Sequence, residues 1–138
     1  MSDWVLDCST ALAAALPDEG SQASLAFLAR LGPSDRLWIP ALFWTELGNG
    51  LEVARRRGRV TEAIVNECIS IVGQLPLMTD WLLGPEATWR QCHLAAVHGL
   101  SAYDTAYLEL ALRRGLGLAS LDERLSAAAR AAGLAVLG

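Results

Sequence analysis

Residues 100–125 read LSAYDTAYLELALRRGLGLASLDERL, and this stretch decides the fold. Its first half predicts a helix with a broad apolar face, which Ser101 caps at the N-terminus and Gly115 ends. The short apolar run at 118–119 predicts a buried strand, and the residues after it predict a second helix. The stretch is therefore a helix–strand–helix unit of an α/β protein.

Two carboxylates stand at the turning points of this unit. Asp104 lies in the first turn of the first helix, and Asp122 lies directly beyond the strand, at the edge where open α/β sheets bind ligands. Both also have a purely structural interpretation, because Ser101 and Asp104 have the spacing of a capping box and Asp122 can cap the helix over 123–132. A functional role therefore depends on other acids that converge on the same edge.

The same alternation of strands and helices runs through the whole chain. Further helices are predicted at 9–16, 21–31, 41–57, 60–75 and 85–97, with a break at 17–20. Further strands are predicted at 4–6, 36–39, 77–78 and 134–137. Alternating strands and helices imply parallel pairing through right-handed crossovers. We therefore predict a three-layer α/β/α fold with a central parallel sheet, in a single domain over residues 1–138.

Four acids can meet at one crevice of such a fold. Asp7 ends the first strand, and Glu46 lies one turn into its helix with no basic residue at helical spacing. Together with Asp104 and Asp122 they would repel one another and resist desolvation, so they must either protonate or bind cations. Hard oxygen ligands favour Mg²⁺ or Mn²⁺ over zinc. Such ions polarise phosphoryl groups and activate water, which points to phosphodiester chemistry.

Hydroxyl side chains flank these acids at both strand ends. Ser9 and Thr10 follow Asp7 closely, and Ser120 precedes Asp122 by two residues. A hydroxyl in this position can hydrogen-bond a ligand carboxylate or a water and orient it. Capping of the first helix explains Ser9 and Thr10 as well.

Composition excludes several other classes of protein. No lysine occurs among the 138 residues, because all 11 basic residues are arginine. A P-loop needs a Gly-Lys pair, which this chain lacks. Receiver domains and haloacid-dehalogenase-like phosphatases are families that use an essential lysine, so they are excluded as well. The net charge of −4 gives no global signal for nucleic acid. No stretch approaches the ~20 apolar residues of a membrane span, so we expect a cytoplasmic protein without membrane contact.

Four segments carry a family resemblance: VLDCS at 5–9, IPALFWTEL at 39–47, SAYDTAYLELA at 101–111 and LASLDERL at 118–125. Together they resemble the PIN-domain ribonucleases, and specifically the VapC-type toxins of bacterial toxin–antitoxin pairs. The resemblance implies an RNA substrate, a homodimer and inhibition by a small antitoxin. It also implies that four residues bind Mg²⁺ or Mn²⁺, namely Asp7, Glu46, Asp104 and Asp122.

The remaining polar and aromatic residues also have expected places, of which only that of Ser120 rests on the resemblance. Relatives often carry Thr where this chain has Ser120, which keeps the hydroxyl beside the ligands. The densest basic run is Arg55, Arg56, Arg57 and Arg59, which either complements a helix C-terminus or steers RNA phosphates. The tryptophans are expected in the core or in dimer contacts rather than under bases, namely Trp38, Trp44, Trp81 and Trp89.

The alternative from another class is a non-catalytic PIN-like domain that binds RNA or acts as a scaffold subunit. Retention of all four acids argues against it, because a binding module does not need a metal cluster.

Overall fold

The computed structural model describes residues 2–17 and 21–137, so the predicted break at 17–20 lies mostly outside the described residues. Its sheet consists of β1 (Trp4–Leu6), β2 (Leu37–Pro40), β3 (Leu77–Asp80) and β4 (Gly117–Ala119). The strands are parallel and lie in the order β3-β2-β1-β4. The predicted parallel sheet is confirmed.

Helices cover both faces of this sheet, as predicted. They are α1 (Cys8–Ala15), α2 (Gln22–Ala29), α3 (Leu42–Arg56), α4 (Glu62–Gly73), α5 (Pro85–His98), α6 (Ala102–Arg114) and α7 (Glu123–Ala131). Local chemistry sets several of their first residues, because the side chains of Ser21, Thr61 and Ser101 each accept a backbone N–H three residues ahead.

The predicted final strand at 134–137 is wrong in extent. Only an isolated parallel bridge forms there, between Val136 and Leu118 of β4. Two hydrogen bonds hold it, from Leu118 N to Ala135 O at 2.9 Å and from Leu137 N to Leu118 O at 3.2 Å. Since β4 is only three residues long, it offers no further backbone groups for a longer ladder.

The connections reverse direction between β1 and β4. The chain moves from β1 to β2 to β3 in one direction, and then crosses back over the sheet through α5 and α6 to β4. Right-handed crossovers place helices α1 to α4 on one face and α5 to α7 on the other. The packing agrees, because α1 contacts α2, α3 and α4, whereas α6 contacts α5, α7 and the strands. A crevice therefore opens at the carboxyl ends of β1 and β4, where the flanking helices diverge.

Helix α6 is the central element of its layer. Its residues from Thr105 to Ala111 are buried, including the fully buried ring of Tyr107. At Gly117 the neighbouring strand β1 comes so close that a Cβ atom would lie 2.6 Å from the ring of Trp4. A side chain at this position would push β4 away from β1, and with it the edge where the acids lie.

Buried ion pairs fasten the C-terminal end of α6 to β3. Arg113 donates to both carboxylate oxygens of Asp80, at 2.9 and 3.0 Å, and to Glu109 at 2.8 Å. Arg114 also contacts Asp80, at 3.0 Å, and its guanidinium lies 3.6 Å from the ring centre of Trp38. Arg113 lowers the pKa of Asp80 to about 2, so this carboxylate stays ionised near neutral pH. The opposite end of α6, which carries Asp104, is thereby held in a fixed direction.

Of the two places expected for the tryptophans, the core is wrong for Trp44, Trp81 and Trp89, which are exposed, and Trp38 is half-buried. The other expected place, a dimer contact, stays a prediction. Trp81 and Trp89 are 71% and 70% exposed, and Leu83 beside them is 71% exposed. No helix in residues 2–17 and 21–137 has the length and apolar character needed to cross a membrane.

Candidate functional site

The carboxyl ends of β1 and β4 meet at the reversal point of the sheet. The amide of Asp7 donates to Ala119 O at 3.0 Å, so the strand pairing continues to the residue that carries the carboxylate. Ser120 follows β4 directly, and Asp122 lies two residues beyond it. The predicted reversal point of the sheet is therefore present, and Asp7 lies buried at the end of β1 that meets it.

Asp7 is held by two hydroxyl groups. Its Oδ2 atom accepts hydrogen bonds from Ser9 Oγ at 2.5 Å and from Ser120 Oγ at 2.8 Å. The side chain is buried, and burial raises the pKa of Asp7 although both hydroxyls act in the opposite direction. Both serines predicted to orient an acid therefore contact one, and it is the most buried acid of the set.

Glu46 reaches the crevice from helix α3 and has a partner that the sequence did not reveal. Tyr107 Oη donates a hydrogen bond to Glu46 Oε1 at 2.5 Å, across 61 positions of sequence. Burial raises the pKa of Glu46, and the negative charges of Asp7 and Asp104 raise it further. Tyr107 follows Asp104 by three residues, so one face of α6 supplies both groups. That spacing was the available signal for Tyr107.

Asp104 occupies the first turn of α6 without completing a capping box. Ser101 Oγ accepts from Asp104 N at 3.1 Å, which is the N-cap half of the box. Among the described residues, the Asp104 carboxylate makes no return bond to Ser101 N. Its charge instead acts on Asp7 and Glu46, whose pKa values it raises. Three of the four predicted acids are thus brought together.

Asp122 lies on the same edge but has a structural task. Its carboxylate accepts from Leu125 N at 2.9 Å and caps α7, which was the alternative interpretation of this residue. Its amide donates to Ser120 Oγ at 3.0 Å, and the preceding Leu121 amide donates to Thr10 Oγ1 at 3.1 Å. Ser120 therefore links Asp122 to Asp7, and the loops after β1 and β4 are joined side by side.

The three interacting acids are neighbours, but their carboxylates do not surround one common metal position. Within residues 2–17 and 21–137, no three His, Cys, Asp or Glu side chains are arranged closely enough to surround a cation. Each acid does lie at or near a helix N-terminus, since Asp7 precedes α1, Asp104 begins α6 and Glu46 lies one turn into α3. The positive ends of these helix dipoles partly offset the repulsion among the carboxylates.

The arginine run lies apart from the acids. Arg55 and Arg56 both pair with Glu52, with contacts of 2.6 and 3.2 Å, because three and four residues along a helix lie on the same face. Arg57 forms the C-cap of α3. At 1.5 Å of rise per residue, the run begins roughly 15 Å along the helix from Glu46. It lies outside the acidic crevice, at the other end of the same helix.

The fold and this edge define the class of protein: a Rossmann-like α/β/α domain with carboxylates at its reversal point. The chain belongs to the PIN domain family, whose model matches residues 4–131. The resemblance noted from the sequence segments is thereby confirmed at the level of the family. Comparison with curated proteins gives no match.

Solved structures with the same fold include three informative cases. The protein PAE2754 from Pyrobaculum aerophilum has a TM-score of 0.68 at 24% identity, over 99% of this chain and 84% of that one. VapC20 from Mycobacterium tuberculosis, described as a sarcin–ricin loop cleaving toxin, has a TM-score of 0.64 at 16% identity, over 92% and 95%. A toxin–antitoxin complex from Klebsiella pneumoniae has a TM-score of 0.58 at 13% identity, over 86% of each chain.

The raised pKa of Asp7 predicts how metal-free stability changes with pH. An unfolded aspartate titrates near pH ~4, and a folded pKa above that value gives stability that is lost as pH rises through it. Asp7→Asn removes this loss. In EDTA, we expect the variant to unfold at higher urea concentration than wild type near pH ~7, and the difference to shrink towards pH ~4.

Glu52→Gln is the matched control with the opposite sign. Arg55 lowers the pKa of Glu52 to about 2, so this carboxylate stabilises the fold above the unfolded pKa. Its amide variant should be the less stable protein near pH ~7. If wild type unfolds at a higher urea concentration than Asp7→Asn in EDTA at that pH, the raised pKa assigned to Asp7 is contradicted.

Proposed function

We propose that this protein is a metal-dependent endoribonuclease that hydrolyses RNA phosphodiester bonds, and that it is the toxin of a toxin–antitoxin pair. The observation that carries the proposal is the meeting of Asp7, Glu46 and Asp104 at the reversal point of a PIN fold. Two of these acids have raised pKa values because they are buried beside other negative charge. A divalent cation would offset both the burial of these carboxylates and the repulsion between them.

The donor set fits Mg²⁺ or Mn²⁺ better than a softer metal. The candidate ligands are carboxylates on helices and strand ends, and neither histidine of the chain is among them. Asp7, Glu46 and Asp104 would hold the ion once their side chains move closer together than the described residues place them. Asp122 would reach it only if its carboxylate served both the helix cap and the metal. When bound, such an ion activates water and stabilises charge on the phosphate that is attacked.

The protein's own side chains prepare this site. Ser9 and Ser120 fix the orientation of Asp7 through its Oδ2 atom, and Tyr107 does the same for Glu46 through Oε1. Asp104 stands at the mouth of the crevice and is half-buried, which suits a carboxylate that accepts a proton from a water or orients it. The arginine run at the other end of α3 would attract RNA phosphates at a distance from the acids.

Cleavage of RNA in the presence and absence of metal tests this function. Purified protein should cut single-stranded RNA with Mg²⁺ or Mn²⁺ and lose the activity in EDTA. Asp104→Asn should abolish cleavage and sharply reduce the rise in melting temperature that metal gives the wild type, because binding to the folded state is what stabilises it. Metal-independent cleavage, or no cleavage of any RNA, would favour the non-catalytic alternative.

Ser101→Ala is the matched control for Asp104→Asn. It removes the hydroxyl that caps the same helix turn and should cost about 1 kcal/mol of stability while leaving the metal-induced shift intact. If Asp104→Asn behaves in this way instead, Asp104 is a helix-terminal residue and not a metal ligand.

The proposed partner is a small antitoxin protein. A similar fold occurs in a toxin–antitoxin complex, and an acidic crevice is a natural receptor for an arginine side chain. We expect the product of the neighbouring gene to co-purify with this chain and to stop its cleavage of RNA. Replacing the inserted basic residue of that partner by alanine should restore cleavage. Unchanged activity with the neighbour's product present would reject the idea.

The proposal includes a homodimer, formed through the exposed apolar residues beside α5. Trp81, Leu83 and Trp89 are each at least 70% exposed, which is unusual for large apolar side chains so close together in the chain. Next to them, a groove of about 650 Å³ runs between α5 and α6, and Leu94 and Leu112 are among its lining residues. A second copy of the chain would cover both.

A cytoplasmic location belongs to the same proposal, in keeping with three unpaired cysteines.

The dimer can be tested by sedimentation with one charged substitution. Trp89→Glu should convert wild-type dimers to monomers, because it places a charge among these exposed apolar residues. Leu25→Glu is the control, since Leu25 is 49% exposed on α2, in the layer opposite to α5. A monomeric wild type would reject the dimer. Dimers that survive Trp89→Glu and dissociate with Leu25→Glu would place the interface elsewhere.

A further inference from the structure

A small cavity opens beside the acidic crevice and does not belong to the metal site proper. It has a volume of about 360 Å³ and is lined by Thr45, Glu46, Asn49 and Tyr103. Thr45, Glu46 and Asn49 lie on two successive turns of α3, and Tyr103 faces them from the first turn of α6. Glu46 therefore belongs to both spaces, since its carboxylate also interacts with Asp7 and Asp104.

Tyr103 is placed unlike the other tyrosine of the chain. Tyr107 is fully buried and bonds Glu46, whereas Tyr103 is 69% exposed one residue before Asp104. An exposed aromatic ring at the wall of a cavity offers a flat apolar face to a planar ligand. Because Glu46 lines this cavity and also interacts with Asp104, a ligand in the cavity would sit beside the proposed reacting phosphate.

The polar lining of the cavity favours an uncharged ligand. Thr45 and Asn49 offer a hydroxyl and an amide, which can both donate and accept hydrogen bonds. The lining residues include no cation, and Glu46 contributes negative charge, so a phosphate group is disfavoured inside. A ligand with amino groups on its edge can donate hydrogen bonds to Glu46 and to the side-chain carbonyl of Asn49. The Asn49 NH₂ group can in turn donate to an acceptor atom of the ligand.

We propose that this cavity is a nucleobase subsite, in which Tyr103 stacks on a base adjacent to the scissile phosphate and Asn49 reads its edge. The inference rests on the proposed ribonuclease function and names the part of the substrate that is recognised. An asparagine side chain pairs best with adenine, whose N6 amino group and N7 atom match the amide donor and acceptor. The subsite therefore prefers adenine to uracil, which carries no exocyclic amino group.

Fluorescence of a single reporter base tests the subsite without cleavage. The probe is an oligouridylate that contains one 2-aminopurine, bound to protein in the Asp7→Asn background so that the RNA stays intact. Stacking on Tyr103 should quench the 2-aminopurine emission on binding. Tyr103→Phe keeps an aromatic ring and should keep the quenching, whereas Tyr103→Ala should abolish it and weaken binding by about 5- to 150-fold.

Base selectivity supplies the second arm of the experiment. In the same Asp7→Asn background, the protein should bind oligoadenylate more tightly than oligouridylate. Asn49→Ala added to this background should remove most of the preference while leaving the affinity for oligouridylate nearly unchanged. Both Tyr103 and Asn49 are exposed, so their variants should keep the melting temperature of the parent protein.

The outcomes separate this inference from the proposed function. Equal quenching and affinity for Tyr103→Ala and Tyr103→Phe would overturn the subsite, even where wild-type protein cleaves RNA with metal. Cleavage by Tyr103→Ala at the wild-type rate on every RNA would do the same. If the probe binds to neither protein and wild type cleaves no RNA, the proposed function fails and the subsite fails with it.

Discussion

Holding carboxylates together in a partly desolvated crevice is the constraint on which this structure depends. Asp7 is 6% exposed, and burial raises its pKa even though two hydroxyls donate to the same oxygen. Glu46 experiences the same burial together with the charges of Asp7 and Asp104. The fold offsets this cost with hydrogen-bond donors from Ser9, Ser120 and Tyr107, and with helix N-termini that direct positive potential at the crevice. In the proposed function, a bound cation would neutralise the negative charge that remains.

The rest of the molecule serves to keep these groups in place. The parallel pairing of β1 with β4 delivers Asp7 and Ser120 to neighbouring strand ends, and it requires glycine at 117 because Trp4 lies so close. At the far end of α6, Arg113 and Arg114 bind Asp80 and anchor the helix to β3. Buried pairs of this kind are weak as sources of net stability, yet breaking one is expensive because it leaves an unpaired charge. They fix the direction of α6, whose first turns carry Asp104 and Tyr107.

The molecule therefore has a buried core that holds the helices in place and an exposed surface that carries the candidate site. The buried face of α6 and the strands beneath it form the core. The exposed surface is the N-terminal end of α6 with the facing turns of α3, where Tyr103, Thr45 and Asn49 are exposed. A third region, around Trp81 and Trp89, exposes apolar side chains away from the acids. If the proposed function holds, this separation would let RNA recognition and chain association use different surfaces of one small domain.

The sequence by itself determined the parallel α/β fold, the strand ends that carry Asp7 and Asp122, and the surface pairing of Glu52. These depend on periodicity, caps and spacings within a few residues, where local rules are strong. Only the tertiary structure decided that Tyr107 bonds Glu46, that Asp104, Asp7 and Glu46 interact while Asp122 caps α7, and that Trp89 is exposed. The final strand shrank to a bridge for the same reason. Such contacts join elements far apart in the chain, and their geometry depends on how whole helices pack, which no local pattern records.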